Sequence, residues 1–324
     1  MEDDSRPLVV VFGAAGYIGS VLCPMLINAG YNVRAFDNFL YGDEGIKDLP
    51  RDHFELIEGD VCDVKSVSFA CKDADAIILL AAIVGHRTVD SQRTTNRDIN
   101  FLASSVVLES AREHGVSRFI FASTNSVYGT QSGLMYETVT PAPISLYSRL
   151  KLRLEERIMK AKRRSFHPTS LRLASCYGYS PRMRFDLVAN GIMRDAVCKG
   201  EITVVSGEQW RPLLHVEDAA RSFLLCLNAH ENLISGEIFN VGSSEQNFQI
   251  NQLVNIAKKL VPEAQINVLE GEPDLVDYHL ACTKIEKILD FKAQKNLEDS
   301  MREIRDLLQK EAFGDPFSLK YQST

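Results

Sequence analysis

The chain has 324 residues, 45% of them hydrophobic and 24% charged, the balance of a globular protein with room for one large α/β unit or two ordinary lobes. That composition excludes a disordered chain, and no apolar run approaches the roughly 20 residues of a membrane-spanning helix. Thirty-six basic against 43 acidic residues leave a formal charge of −7, which argues against nucleic acid or an anionic membrane as the main partner but not against a small anion held by local groups.

The N-terminal Met1-Glu2-Asp3-Asp4 is acidic where a secretory signal is basic, so the cytoplasm is the expected location. Leu8–Phe12 is a continuous apolar run ending in glycine, as in a strand buried on both faces of a parallel sheet. Tyr17–Ala29 has helical spacing and stops at Gly30. Strand patterns follow at Tyr31–Phe36, Phe54–Ile57 and Ala76–Leu80, then a helix over Asp98–His114, a strand at Arg118–Ala122, a helix over about Leu146–Lys162 and a strand at Thr169–Leu173. This βαβ alternation over ~175 residues predicts a doubly wound parallel sheet of the Rossmann type. Its ligand belongs at the carboxyl ends of the strands, near the switch point.

After about Ser180 the rhythm breaks. A helix is expected over Phe185–Lys199, a strand at Ile202–Val205 and a helix opening at His215–Asp218. Glu237–Val241 reads as a strand returning to the main sheet. Further helices are expected at Gln249–Leu260, Lys284–Leu289 and Leu297–Lys310. The predicted division is a cofactor-binding domain, residues 1–180, with 212–242 returning to it. A smaller C-terminal α/β substrate lobe takes 181–211 and 243–312, and residues 313–324 form a patternless, loose tail. Seven scattered cysteines without a CxxC pair read as reduced thiols, mostly small core residues. No metal site is expected.

Gly13-Ala14-Ala15-Gly16-Tyr17-Ile18-Gly19 lies between the first strand and the first helix. The GxxGxxG spacing allows a tight turn, a close backbone approach to a pyrophosphate and close helix–strand packing, with helix N–H groups toward the phosphates. Asp37 ends the second strand, where its carboxylate can take hydrogen bonds from an adenosine ribose or cap its own loop. It would repel a 2′-phosphate, and neither Asn38 nor Phe39 offers a compensating cation, so NAD is expected over NADP. Asp60-Val61 follows the third strand, where Asp60 can reach an adenine amine. Leu80, Ala81 and Ala82 close the fourth, their alanines small enough for a cofactor to lie close.

Tyr147-Ser148-Arg149-Leu150-Lys151 places tyrosine and lysine at i and i+4 on one helix face. A lysine cation near the phenol lowers its pKa and suits it to acid/base work. Thr124, just past the fifth strand, can bond a substrate oxygen beside Tyr147. The chemistry suggested is oxidation of an alcohol, with hydride passing to a nicotinamide.

The set Gly13, Gly16, Gly19, Asp37, Asp60-Val61, Thr124, Tyr147 and Lys151 resembles the extended short-chain dehydrogenases/reductases. Within them it is similar to the NAD-dependent epimerase/dehydratase group acting on nucleotide sugars, from about Leu8 to Leu308. The likeness includes Arg172, Tyr177-Gly178, Gln209-Trp210-Arg211-Pro212 and His215-Val216-Glu217-Asp218. It implies bound NAD, also touching Tyr17, Ile18, Asn38, Tyr147 and Lys151, and a nucleoside diphosphate sugar as substrate. It also implies a homodimer joined through the helices Asp98–His114 and Leu146–Lys162. Carried over, Arg211 and Asn190 hold the substrate diphosphate and Asn125 stands beside Thr124 at the sugar; the place of His215 before Asp218 favours a structural, helix-capping role over a catalytic one.

Three departures stand out. Dehydratases of the group carry Asp-Glu after the active threonine, where this chain has Asn125-Ser126. Many epimerases have an asparagine where Ser175 stands. A second phosphate arginine, frequent near Gly271–Tyr278, is absent, with Arg182, Arg184 or Lys284 as possible substitutes. The expected reaction is epimerisation through a ketone, with C4 the favoured position. Net dehydrogenation, dehydration and mere NAD(H) sensing are the alternatives, in that order.

Overall fold

The structure is a computed structural model describing residues 6–84, 98–269, 271 and 277–323. It opens with β1 (Leu8–Phe12), α1 (Gly19–Asn28), β2 (Asn32–Asp37), β3 (Phe54–Glu58), α2 (Val64–Cys71) and β4 (Ala76–Leu79). A π-helical stretch, Asp98–Ala103, runs into α3 (Ser104–Glu113). Then come β5 (Arg118–Thr124), β6 (Thr130–Met135), α4 (Leu146–Lys160), β7 (His167–Leu173) and β8 (Ser175–Tyr177). The remainder comprises α5 (Val188–Cys198), β9 (Glu201–Val205), β10 (Trp210–His215), α6 (Val216–Asn228), α7 (Glu231–Ile234), β11 (Glu237–Val241) and β12 (Asn247–Gln249). The last elements are α8 (Ile250–Leu260), β13 (Gln265–Leu269), β14 (Asp277–Leu280), α9 (Thr283–Leu289) and α10 (Leu297–Gln309).

Seven strands form one sheet in the order β11-β7-β5-β4-β1-β2-β3, and every neighbouring pair is parallel. This is the predicted doubly wound sheet, with β11 as the returning strand. The chain leaves β1 toward β2 in one direction and resumes at β4 in the other, so the switch point lies at the carboxyl end of β1. The period-2 alternation of β1 feeds two cores. Val9 and Val11 pack with Leu22, Ala219 and Phe223 on one face, while Val10 and Phe12 pack with Val67, Val107 and Leu154 on the other. A third core gathers Met193, Leu213, Leu253, Met301 and Ile304 beyond the sheet.

Elements without a strong local pattern depart from expectation. β6 (TQSGLM) has a glycine and no apolar alternation, and exists by pairing with β14 over 140 residues later. The short β8 is set by its pairing with β10. α2 is capped by Asp63, whose side chain accepts from Lys65 N. Residues 313–323 are packed rather than loose. The Phe313 ring stands edge-on to Phe185 at 5.1 Å, Tyr321 does so at 5.6 Å, and Phe185 N donates to Tyr321 O. Two aromatic residues eight apart in the chain make this contact, too few for periodicity to signal it.

Candidate active site

The turn after β1 reverses the chain at Gly13, whose φ is +86° and whose N–H donates to Phe36 O. A Cβ there would lie 2.6 Å from Ala81 N, and one on Gly19 would lie 2.4 Å from Gly13 O. Both glycines are therefore required by packing. A Cβ on Gly16 would meet nothing but Gly13 O, at 3.2 Å, so its openness faces the adjacent cavity. That cavity is lined by Gly13, Gly16, Tyr17, Ile18, Gly19, Asp37, Asn38, Asp60, Val61, Leu80, Ala81 and Ala82. Every residue assigned from sequence to the cofactor, apart from Tyr147 and Lys151, thus comes to one space at the carboxyl ends of β1 to β4.

Asp37 is gripped by the turn itself, its carboxylate accepting from Ala15 N and Phe39 N at 3.0 Å each. Burial pushes its proton affinity up, and those two N–H groups pull it back. Asp60 accepts from Cys62 N at 2.8 Å, shaping the loop at the adenine end. An open glycine backbone, the unpaired N–H groups of a helix start and a carboxylate at the end of β2 fit an adenosine diphosphate moiety.

At the other end, the cavity reaches Ala122, Cys176 and Arg184. Here α4 is held in register by a buried network. Glu155 pairs with Arg172 at 2.7 Å and accepts from Ser170 Oγ, and Arg172 donates to the Tyr128 hydroxyl, which donates to Asn240. One turn nearer the N-terminus, Lys151 Nζ donates to Ala122 O at 2.9 Å. Thr124 stands near enough to the Tyr147 phenol to favour its ionised form. Thr124 Oγ1 accepts from Ser126 N at 3.1 Å and keeps its own proton to donate. Tyr147, Thr124 and Lys151 are therefore brought together beside the cavity.

Their electrostatics differ from the expected lysine-tuned phenol. Burial pushes Tyr147 up to about 12, and the opposing cation is Arg184. Burial pushes Lys151 down to about 7, so its charge is weak at neutral pH. Lys151 Nζ lies 5.9 Å from the Tyr147 ring centre and 4.7 Å from that of Phe121.

The residues expected at the substrate diphosphate are more dispersed. Asn190 is fully buried: its Oδ1 accepts from Gly178 N at 3.0 Å, and its Nδ2 donates to Arg184 O at 2.9 Å and to the Tyr17 hydroxyl at 3.3 Å. Arg211 lies on β10, largely buried, with Nη1 donating to Trp210 O. Asn125 opens the turn after β5, and its buried Nδ2 has no hydrogen-bond partner among the described residues. His215 caps α6, Nδ1 accepting from Glu217 N at 3.2 Å. Of the three substitute cations, Arg182 and Arg184 line the cavity, whereas Lys284 is engaged by Ile238 O and Glu237 behind β11. Residues 272–276, within the segment lacking the second arginine, lie outside the described residues. Sequence reasoning missed Tyr41, Cys176 and Ser323 as lining residues. Each comes from a segment whose local pattern points nowhere near the glycine turn.

The model of the family described as "NAD dependent epimerase/dehydratase family" matches residues 9–242. A UDP-glucose 4-epimerase of Corynebacterium glutamicum is 28% identical over 272 residues, 78% of this chain and 80% of the relative. Among solved structures, MoeE5 in complex with UDP-glucuronic acid and NAD is 27% identical, with a TM-score of 0.82 over 94% of this chain and 99% of that one. The UDP-glucuronic acid 4-epimerase of Bacillus cereus, in complex with UDP-glucuronic acid and NAD, is 26% identical, with a TM-score of 0.83 and the same coverage. With its cradle after β1, the Tyr147 helix beside it and a match over most of its length, the chain belongs to the NAD dependent epimerase/dehydratase family and is an NAD-dependent enzyme.

Proposed function

We propose that the chain is a nucleotide-sugar 4-epimerase. The observation that carries this reading is the Thr124–Tyr147–Lys151 cluster beside the nucleotide cavity, in a chain whose relatives include UDP-sugar 4-epimerases. When bound, NAD supplies a hydride acceptor that can return what it takes. With its phenol ionised, Tyr147 Oη would take the proton of the sugar C4 hydroxyl and return it to that oxygen once the ring carbon is reduced again. Arg184 and Thr124 favour the ionised form of the phenol. Lys151, anchored on Ala122 O, is placed to hold the nicotinamide ribose. Arg211 and Asn125 hold the diphosphate and the sugar. Asn190 acts at the diphosphate through the segment that it braces.

Asn125-Ser126 in place of Asp-Glu supports epimerisation over dehydration, since neither side chain is a proton donor or base of the required strength. Net dehydrogenation is the second reading. We retain the division into a cofactor domain, 1–180 with 212–242, and a substrate lobe, 181–211 with 243–312, followed by the 313–324 segment. We also infer a homodimer through α3 and α4, supported by their side-by-side packing with an Arg157–Glu109 ion pair and by the 44% exposed Leu102. Seven free thiols support a reducing, cytoplasmic setting.

The test is incubation with UDP-sugars and reading of product stereochemistry by NMR, for wild type and Tyr147→Phe. Epimer formation without NADH release is expected, with a loss of about 10²–10⁴-fold in the variant. Near-full turnover by Tyr147→Phe sinks the mechanism, and stoichiometric NADH release moves the reading to a dehydrogenase.

A further inference from the structure

We propose that Arg182 is a cofactor-binding residue whose guanidinium holds the NAD diphosphate from the side opposite the glycine turn. The inference deepens the NAD-dependent reading and rests on it. Arg182 lies in the stretch between β8 and α5, yet lines the same cavity as Gly13, Gly16 and Asp37. It also shares a smaller adjoining cavity with Ala15 of the turn. Its side chain is 7% exposed and stacked on Tyr41, with the guanidinium carbon 4.0 Å from the ring centre. Nη2 donates to Gln322 O at 2.9 Å and Nη1 to Met183 O at 3.5 Å. Nε is buried and has no partner among the described residues.

Among the described residues no carboxylate is hydrogen-bonded to this cation; Asp186 and Asp37 act on it only through space. Asp37, also in the cavity lining, is engaged by Ala15 N and Phe39 N. Arg184, the neighbouring cation, takes Asp186 in a two-point pair. A buried guanidinium left without a contacting anion is unfavourable, and two arginines in one wall repel each other. The geometry therefore leaves a fork-shaped donor, stiffened by Tyr41 and by the Gln322 carbonyl, facing a cradle whose backbone suits a diphosphate. A phosphate between them satisfies both walls, and guanidinium is the side chain best matched to it. An epimerase must keep one NAD molecule through oxidation and re-reduction, and a clamp from both sides of the diphosphate slows its escape.

The test uses the full chain freed of nucleotide, titrated calorimetrically with NAD, ADP, adenosine 2′,5′-bisphosphate and adenosine. Arg182→Gln is expected to weaken NAD and ADP by about ten- to a hundredfold, to leave adenosine within about twofold, and to show a smaller deficit at high salt. Equal affinity of Arg182→Gln and wild type for ADP overturns the assignment. So does an equal loss for ADP and adenosine, which marks a packing role, or a loss confined to the 2′,5′-bisphosphate. Should Arg182→Gln fail to fold, Arg182→Lys carries the test: it keeps the charge but not the fork, and must weaken ADP severalfold with adenosine unchanged. A wild type that binds neither NAD nor ADP sinks the cofactor reading itself, a result separable from the others.

Discussion

The two walls of the cavity are built differently. On the sheet side, the chain makes its contacts with backbone and with residues at strand ends. Gly13 turns under Ala81, Ala15 N binds Asp37, and Ala81 N donates to Phe12 O. On the opposite side, the wall is assembled from side chains that meet over long stretches of chain. The Tyr17 hydroxyl donates to Gly178 O, 161 residues away, Ser20 meets Ser180, and Arg182 reaches Gln322. The first wall depends on what the backbone can do in a few consecutive residues. The second depends on the whole fold being in place.

The largest expected effect comes from breaking the backbone wall. Gly13→Val puts a branched side chain at φ +86° and directs its Cβ at Ala81 N. It should cost about 2–5 kcal/mol of stability and abolish measurable NAD binding by calorimetry. A variant that binds NAD as wild type does would mean that the turn is not the cradle.

A smaller effect, and a sharper one, comes from Asn190→Ala. The family resemblance points to this asparagine as a diphosphate ligand, but its amide is occupied by Gly178 N, Arg184 O and the Tyr17 hydroxyl. Truncation leaves the buried Gly178 N–H unpaired, a loss of about 1–3 kcal/mol. It should also loosen the 182–184 segment. The thermal midpoint should therefore fall, and the affinities for NAD and for the sugar nucleotide should fall together. An unchanged midpoint with a higher KM for the sugar nucleotide alone would instead make Asn190 a direct substrate ligand.

What was legible in sequence follows the same division. The order of the main-sheet strands through β7, the glycine turn, Asp37 and the Tyr147–Lys151 pair could be read because each is a local pattern: a buried run, a turn chemistry, an i,i+4 spacing; α2 and β6, which have no such pattern, could not. The charge tuning of Tyr147 could not. Its opposing cation, Arg184, comes from the distant stretch between β8 and α5, and Lys151 is pushed toward neutrality by burial that only the packed fold creates. The packing of Phe313 and Tyr321 on Phe185 was equally hidden, because contacts of single aromatic residues have no period.

The smallest predicted effect concerns the floor of the side-chain wall. His215 Nε2 lies against Gly178, where a Cβ would come within 2.1 Å of it, and Nδ1 accepts from Glu217 N. Burial pushes this imidazole down to about 4, whereas the unfolded chain protonates it near its ordinary value of about 6.5. Between those values the unfolded state binds the extra proton, so stability falls as pH drops through that window and levels off below it. Urea unfolding of wild type should therefore lose about 2–3 kcal/mol from this group between pH 7 and pH 4.5. Asn at 215 still offers an acceptor to Glu217 N but does not titrate, so His215→Asn should flatten that part of the curve. Parallel curves for the two proteins would show that His215 does not carry the acid sensitivity of this wall. A flattened curve would tie the Gly178 turn, and with it Tyr17 and Asn190, to a neutral imidazole beneath them.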